Sequence, residues 1–75
     1  MFDDFHEHCK AHGLKITPQR VVIYEAVAGA KDHPSAEQIF VKVKAKFPNI
    51  SYDTVHRALV TFAKIGLVEA VEGYG

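Results

Sequence analysis

Tryptophan is absent from this 75-residue sequence, and cysteine occurs once. A single cysteine cannot close an intramolecular disulfide, so nothing argues for an oxidising compartment and the expected location is cytoplasmic. No apolar run is long enough to cross a bilayer, and the N-terminal segment FDDFHEHCK is too charged for a signal peptide, so no membrane partner is expected. There is no glycine-rich phosphate loop and no paired carboxylate site. No serine or histidine is spaced as a nucleophile with its base, which argues against an enzyme and against a small-molecule substrate. An excess of one charge is also lacking: nine Lys and Arg balance nine Asp and Glu. Nucleic-acid binders usually carry a basic excess. If DNA is the partner, phosphate contacts per copy are few, and dimerisation must help.

What is present is the composition of an ordinary folded domain, 48% hydrophobic and 24% charged. The length allows one small core, near the size at which stability becomes marginal. The chain is organised around Ser51 to Gly66, SYDTVHRALVTFAKIG. Val55, Ala58, Leu59, Phe62 and Ile65 recur at three- and four-residue steps and mark one apolar helical face. Asp53, His56, Arg57, Val60 and Lys64 fall on the other face. Ser51 suits the N-cap, Asp53 suits the positive end of the helix, and Gly66 stops it. A solvated surface is the ordinary reading of such a face. It also has the groups needed to read base edges in a major groove, where arginine favours guanine and small apolar groups meet the thymine methyl.

Ahead of this stretch, Phe2 to His12 is expected to form a short helix ended by Gly13. It carries His6, His8, Cys9 and His12. The spacing of His8 with His12, or of Cys9 with His12, could serve a soft metal, although neither pair makes a four-ligand set. The ordinary reading is a solvated first helix. Thr17-Pro18 is a strong helix start, since proline at the first helical position gives up an N–H that would go unsatisfied there. Val22, Ile23, Ala26 and Val27 give this second helix its apolar side, ending near Gly29. Lys15 lies in the approach segment, where it is either a solvated lysine or a reader of phosphate or a narrow minor groove. Ser35 to Gln38 fits a capping box. Ala36, Ile39, Phe40, Val43 and Phe47 line the third helix, with Lys42, Lys44 and Lys46 outside and Pro48 expected to end it. Asn49-Ile50 then makes a tight connection to Ser51, so a helix-turn-helix is expected. Leu67 to Glu72 reads as a strand and Gly73 to Gly75 as a turn. The chain ends inside that expected hairpin. A piece of a longer protein is therefore expected, with a free strand edge.

The strings LKITPQR, HPSAEQIF and DTVHRALVTFAKIGLVEAVEGYG, in this order and spacing, resemble the N-terminal DNA-binding domain of the ferric uptake regulator family. TPQR and HPSA point within it to the peroxide-responsive branch. The resemblance covers nearly all of the chain from Leu14 onward. It implies a mainly α (α+β) winged helix-turn-helix with a short, truncated β-hairpin wing. Residues 1–75 would be the DNA-binding domain, with the C-terminal dimerisation and metal-sensing domain absent. Members are metal-responsive homodimeric regulators, usually repressors, acting on A/T-rich inverted repeats in double-stranded DNA. By this likeness Lys15 matches the residue that enters the minor groove, and Ser51, Thr54, His56 and Arg57 match the recognition-helix contacts. Arg20 and Tyr52 are expected on phosphates, and Thr61 lies within the same helix. The wing is expected at Glu72 to Gly75.

His33 matches the one regulatory-metal ligand given by the DNA-binding domain, acting only with the missing C-terminal half. The resemblance implies a regulatory divalent metal in the full-length protein, iron or manganese with zinc as an alternative, and a structural zinc. Neither is expected in this stretch, because one ligand cannot hold a metal against water. Cys9 does not match the family's zinc cysteines. The family commonly has tyrosine where this chain has His56, so base preference or pH dependence is expected to differ. The rival reading is a winged helix used for protein–protein contact, which zero net charge and the outward Asp53 favour.

Overall fold

The computed structural model describes the backbone of residues 2–30 and 34–68, with side chains from residue 4 onward. His33, most of the expected strand, and the wing at Glu72 to Gly75 lie outside the described residues. All regular structure within them is helical: α1 (Phe2–Ala11), α2 (Pro18–Ala28), α3 (Ala36–Lys44) and α4 (Tyr52–Lys64). Leu67 and Val68, where a strand was expected to begin, form bends.

The helix ends follow from their capping chemistry. Thr17 accepts a hydrogen bond from the Arg20 N–H at the start of α2. Ser35 and Gln38 form the reciprocal capping box at α3. Ser51 accepts from the Thr54 N–H at α4. Each oxygen satisfies an N–H that has no partner within its own helix. Helices α1 and α4 end in the same motif. Gly13 (φ 68°) and Gly66 (φ 78°) take the left-handed conformation. Beyond them the Leu14 N–H donates to Cys9 O and the Leu67 N–H to Phe62 O, both at 2.8 Å. Only glycine enters this conformation without Cβ strain, which is why these two residues stop their helices.

One expected boundary was wrong. Helix α3 ends at Lys44, before Pro48. The Lys46 N–H bonds to Val43 O across three residues, tightening the last turn. The Phe47 N–H bonds to the same carbonyl, and the half-buried Phe47 ring packs against the core. The connection to α4 therefore runs over residues 45–51, longer than the tight Asn49-Ile50 link expected. Ile50 is buried within it.

The core forms where the apolar faces of α2, α3 and α4 meet. Ile23, Ile39, Val43, Val55, Leu59 and Phe62 are fully buried. Helix α1 reaches this core through side chains. Phe5 stacks on Tyr24, with ring centroids 4.6 Å apart, and meets Phe62 edge-on at 5.9 Å. The His8 ring also donates from Nε2 to Ile65 O at the end of α4. The expected solvated first helix is thus corrected: Phe5 and Cys9 are fully buried. The sequence FDDFHEHCK conceals this because Phe5 and Cys9 stand four apart among charged neighbours, one turn of a narrow apolar stripe.

Burial pushes the Cys9 thiol up from its ordinary pKa, with nearby Arg20 opposing the rise. Since the thiolate is the reactive form, Cys9 is expected to resist a thiol reagent in the folded chain and to react once urea unfolds it. Rapid labelling of the native chain in an absorbance assay would contradict this packing.

Candidate nucleic-acid interface

Helix α4 has one buried face and one open face. Val55, Ala58, Leu59 and Phe62 are buried, while Ser51, Tyr52, Asp53, Thr54, Arg57 and Lys64 are exposed. His56 and Thr61 are half-buried between them. Val60, expected on the outer face, instead packs part-buried against the core. Its methyl groups widen the apolar stripe beyond the positions that strict three- and four-residue spacing picks out.

The open face is structured by i,i+4 pairs. Asp53 Oδ2 lies 2.9 Å from Arg57 Nε, with both side chains largely exposed. Tyr52 stacks with His56, centroids 5.9 Å apart, and meets the Phe40 ring of α3 edge-on at 5.7 Å. Tyr52 thereby keeps one side on α3 and one side open. The Ser51 and Thr54 hydroxyls share a hydrogen bond of 2.9 Å, so both belong to the helix cap as well as to the outer face.

Lys15 and Arg20 come together in a way their spacing does not reveal. Arg20 Nη1 donates to the Lys15 carbonyl at 2.6 Å. The guanidinium thus anchors the segment before α2 and leaves the Lys15 side chain exposed. Arg20, Thr17, Asp53, Thr54, Arg57 and Thr61 border one cleft of about 350 Å³, where the start of α2 faces the outer side of α4. Of the expected site residues, Arg20, Thr54, Arg57 and Thr61 share this cleft. Lys15 is tied to it through Arg20, and Ser51 through Thr54. Tyr52 and His56 form a separate ring pair on the α3 side.

Two contributors escaped prediction from the sequence. Asp53 was expected as a helix-start acid on the outer face but not as a partner of Arg57, although its four-residue spacing to Arg57 signals the ion pair. Nothing in the local sequence signals that Arg20 holds the Lys15 carbonyl. The lysines of α3 and of the turn after it stand apart from this constellation: Lys42 and Lys46 border a groove with α2, and Lys44 Nζ sits 5.4 Å from the Phe40 ring centroid.

Among the described residues no group of three or more His, Cys, Asp or Glu side chains is placed to hold a metal. His8 and His12 do approach, with ring centroids 4.9 Å apart, but Cys9 of the same run is buried in the core. No described helix is long and apolar enough to cross a membrane.

Short helices packed in sequence, the last two joined by a turn and the last presenting a polar face, have a helix-turn-helix arrangement. Residues 11–74 match the model of the ferric uptake regulator family. The chain belongs to that family. It is 41% identical over 63 residues to the peroxide operon regulator of Bacillus subtilis, covering 84% of this chain and 43% of that protein. It is 40% identical over 57 residues to the peroxide-responsive repressor of Staphylococcus epidermidis, covering 76% of this chain and 38% of that protein. The Staphylococcus aureus repressor is 39% identical over 57 residues, with the same coverage of 76% and 38%. The chain thus spans less than half the length of these curated relatives.

Proposed function

We propose that this chain is the winged-helix DNA-binding domain of a metal-dependent transcription regulator, a repressor of the peroxide-responsive type. It acts on A/T-rich inverted repeats as part of a homodimer, and α4 lies in the major groove with Lys15 in the adjacent minor groove. The observation that carries this reading is the outer face of α4. It is polar, open and rigidly backed by a buried apolar face, and it has base-edge chemistry in Arg57, Thr54 and the Tyr52–His56 ring pair. Family membership supports it, as do the names of the relatives above. Arg20 anchors the Lys15 backbone, which supports a minor-groove role for the lysine, since narrow A/T-rich grooves attract cations.

In this reading a wing follows α4 at Glu72 to Gly75. A C-terminal half of the longer protein supplies dimerisation and most metal ligands, with His33 as the one contributed from this domain. Two copies would meet two half-sites, and effector binding elsewhere would act by setting their spacing.

Fluorescence anisotropy with an A/T-rich duplex at two salt concentrations tests the reading. Affinity should fall steeply with salt, as release of counterions from phosphates requires. A zero net charge is the observation that favours a protein–protein module instead, and salt-independent retention by a protein partner without DNA binding would decide for it. Within the same assay, His56→Tyr is expected to strengthen DNA binding at neutral pH. The larger ring would pack on thymine methyls and its hydroxyl would reach a phosphate. Equal or weaker binding would contradict that contact.

A further inference from the structure

We propose that Asp53 turns Arg57 into a guanine-selective reader by occupying its Nε and neutralising its charge toward phosphates. The inference rests on the DNA-binding reading above and adds a residue that the reading does not use. Asp53 Oδ2 sits 2.9 Å from Arg57 Nε on the open face of α4, with the Arg57 side chain 80% and the Asp53 side chain 70% exposed. An acid on this face opposes a polyanion, so its presence calls for a reason. Its position gives it three consequences.

First, arginine has five N–H donors in a planar fork. A carboxylate on Nε takes the side of that fork and leaves the two Nη groups directed end-on. That end-on pair matches the O6 and N7 acceptors that guanine presents in the major groove. Second, the carboxylate cancels most of the arginine's attraction for a phosphate at a distance, while a hydrogen bond made at contact keeps its directionality. Arg57 therefore adds little to sequence-independent binding, and its contribution is concentrated in base choice. Third, Asp53 itself is an acceptor, so it penalises a register that sets it against the acceptor edge of a base or against a phosphate, and tolerates an amino group such as cytosine N4. The chain's zero net charge fits this division of labour, in which attraction is kept low and discrimination is placed in one pair.

This predicts that the half-site, although A/T-rich, contains a guanine at one position. The test moves a single G·C pair through an A/T-rich half-site duplex and measures affinity for the wild-type chain, Asp53→Asn and Arg57→Lys. Wild type should prefer guanine at one position by on the order of tenfold. Asp53→Asn should bind every duplex more tightly, steepen the salt slope by about one, and lose most of the guanine preference. Arg57→Lys keeps the charge but not the fork, so it too should lose the preference. Adding Asp53→Asn to it should then change selectivity no further. Circular dichroism and thermal midpoints should be near wild type throughout, since both side chains are solvent-exposed.

If wild type binds with salt dependence but shows no guanine preference at any position, the inference is overturned while the DNA-binding reading stands. It is overturned in the same way if Asp53→Asn leaves preference and salt slope unchanged. Asp53 would then serve only the positive end of α4. No wild-type binding to any duplex at low salt would overturn both.

Discussion

Replacing Phe62 by alanine is expected to unfold the domain, or to leave it so marginal that urea below ~1 M completes the transition. Phe62 is fully buried in α4 and contacts rings from two other helices, Phe5 of α1 at 5.9 Å and Tyr24 of α2 at 6.3 Å. Its carbonyl also accepts the Leu67 N–H that closes the end of α4. Truncating a buried phenylalanine costs about 3–5 kcal/mol, because the cavity adds to the lost transfer energy. Stability of about 0.05–0.15 kcal/mol per residue gives a chain of this length roughly 4–11 kcal/mol in total. One side chain is therefore comparable with the whole. Val41→Ala supplies the contrast: Val41 is 68% exposed, and surface changes of this kind stay within about 0.5 kcal/mol. Urea titration followed by far-ultraviolet circular dichroism checks both. A Phe62→Ala chain that loses under ~1 kcal/mol would contradict a core centred on the Phe5–Tyr24–Phe62 ring cluster.

Lys15→Ala is expected to weaken binding to an A/T-rich duplex about tenfold, to flatten the salt slope by about one, and to reduce the preference for A/T-rich over G/C-rich DNA. The first two effects follow from removing one cation from the phosphate field. The third follows only if that cation lies in a narrow minor groove, where A/T-rich sequence concentrates negative potential. The geometry supplies a reason for position dependence. Lys15 is exposed, yet its own carbonyl is held by Arg20 Nη1 at 2.6 Å, so its backbone is tethered to the start of α2. Lys42→Ala, on the outside of α3, should lower affinity less and leave the preference unchanged. Thermal midpoints should be near wild type for both variants, separating loss of binding from loss of fold. A Lys15→Ala chain with its A/T preference intact would rule out the minor-groove contact.

Phe62 and Lys15 also mark what could and could not be read from residue order. The buried face of α4 was legible because apolar residues at helical steps leave few ways to fold: Val55, Ala58, Leu59 and Phe62 are buried as expected, whereas Ile65, expected with them, is half-buried just past the end of the helix. The caps at Thr17, Ser35 and Ser51 and the stops at Gly13 and Gly66 were legible because each follows from one local hydrogen bond or one backbone angle. Helix α1 was misjudged because Phe5 and Cys9, which reach the core, lie among charged neighbours, and the burial of Phe5 depends on Tyr24 and Phe62, far along the chain. The end of α3 was placed too late because the tightening of its last turn competes with the proline rule and prevails.

At the candidate interface, periodicity identified which residues face outward but not how they pair. The Asp53–Arg57 contact was available from spacing, and the Tyr52–His56 stack likewise. The Arg20 link to the Lys15 carbonyl requires the particular path of the irregular segment 14–17, which no side-chain pattern specifies. Family resemblance supplied roles for Lys15, His33 and the α4 contacts that physics alone did not. Of these, His33 lies outside the described residues.

DNA reading by the α4 face is tested most directly by an amide NMR titration of this chain with an A/T-rich duplex and a G/C-rich control, repeated at low and high salt. A single domain meeting a half-site binds weakly, and chemical shifts register such binding residue by residue. Shifts should concentrate at Lys15, Arg20 and residues 51–61, be larger for the A/T-rich duplex, and be suppressed by salt. Absence of shifts at low salt, or shifts confined to the lysine face of α3 and equal for both duplexes, would contradict DNA reading by α4.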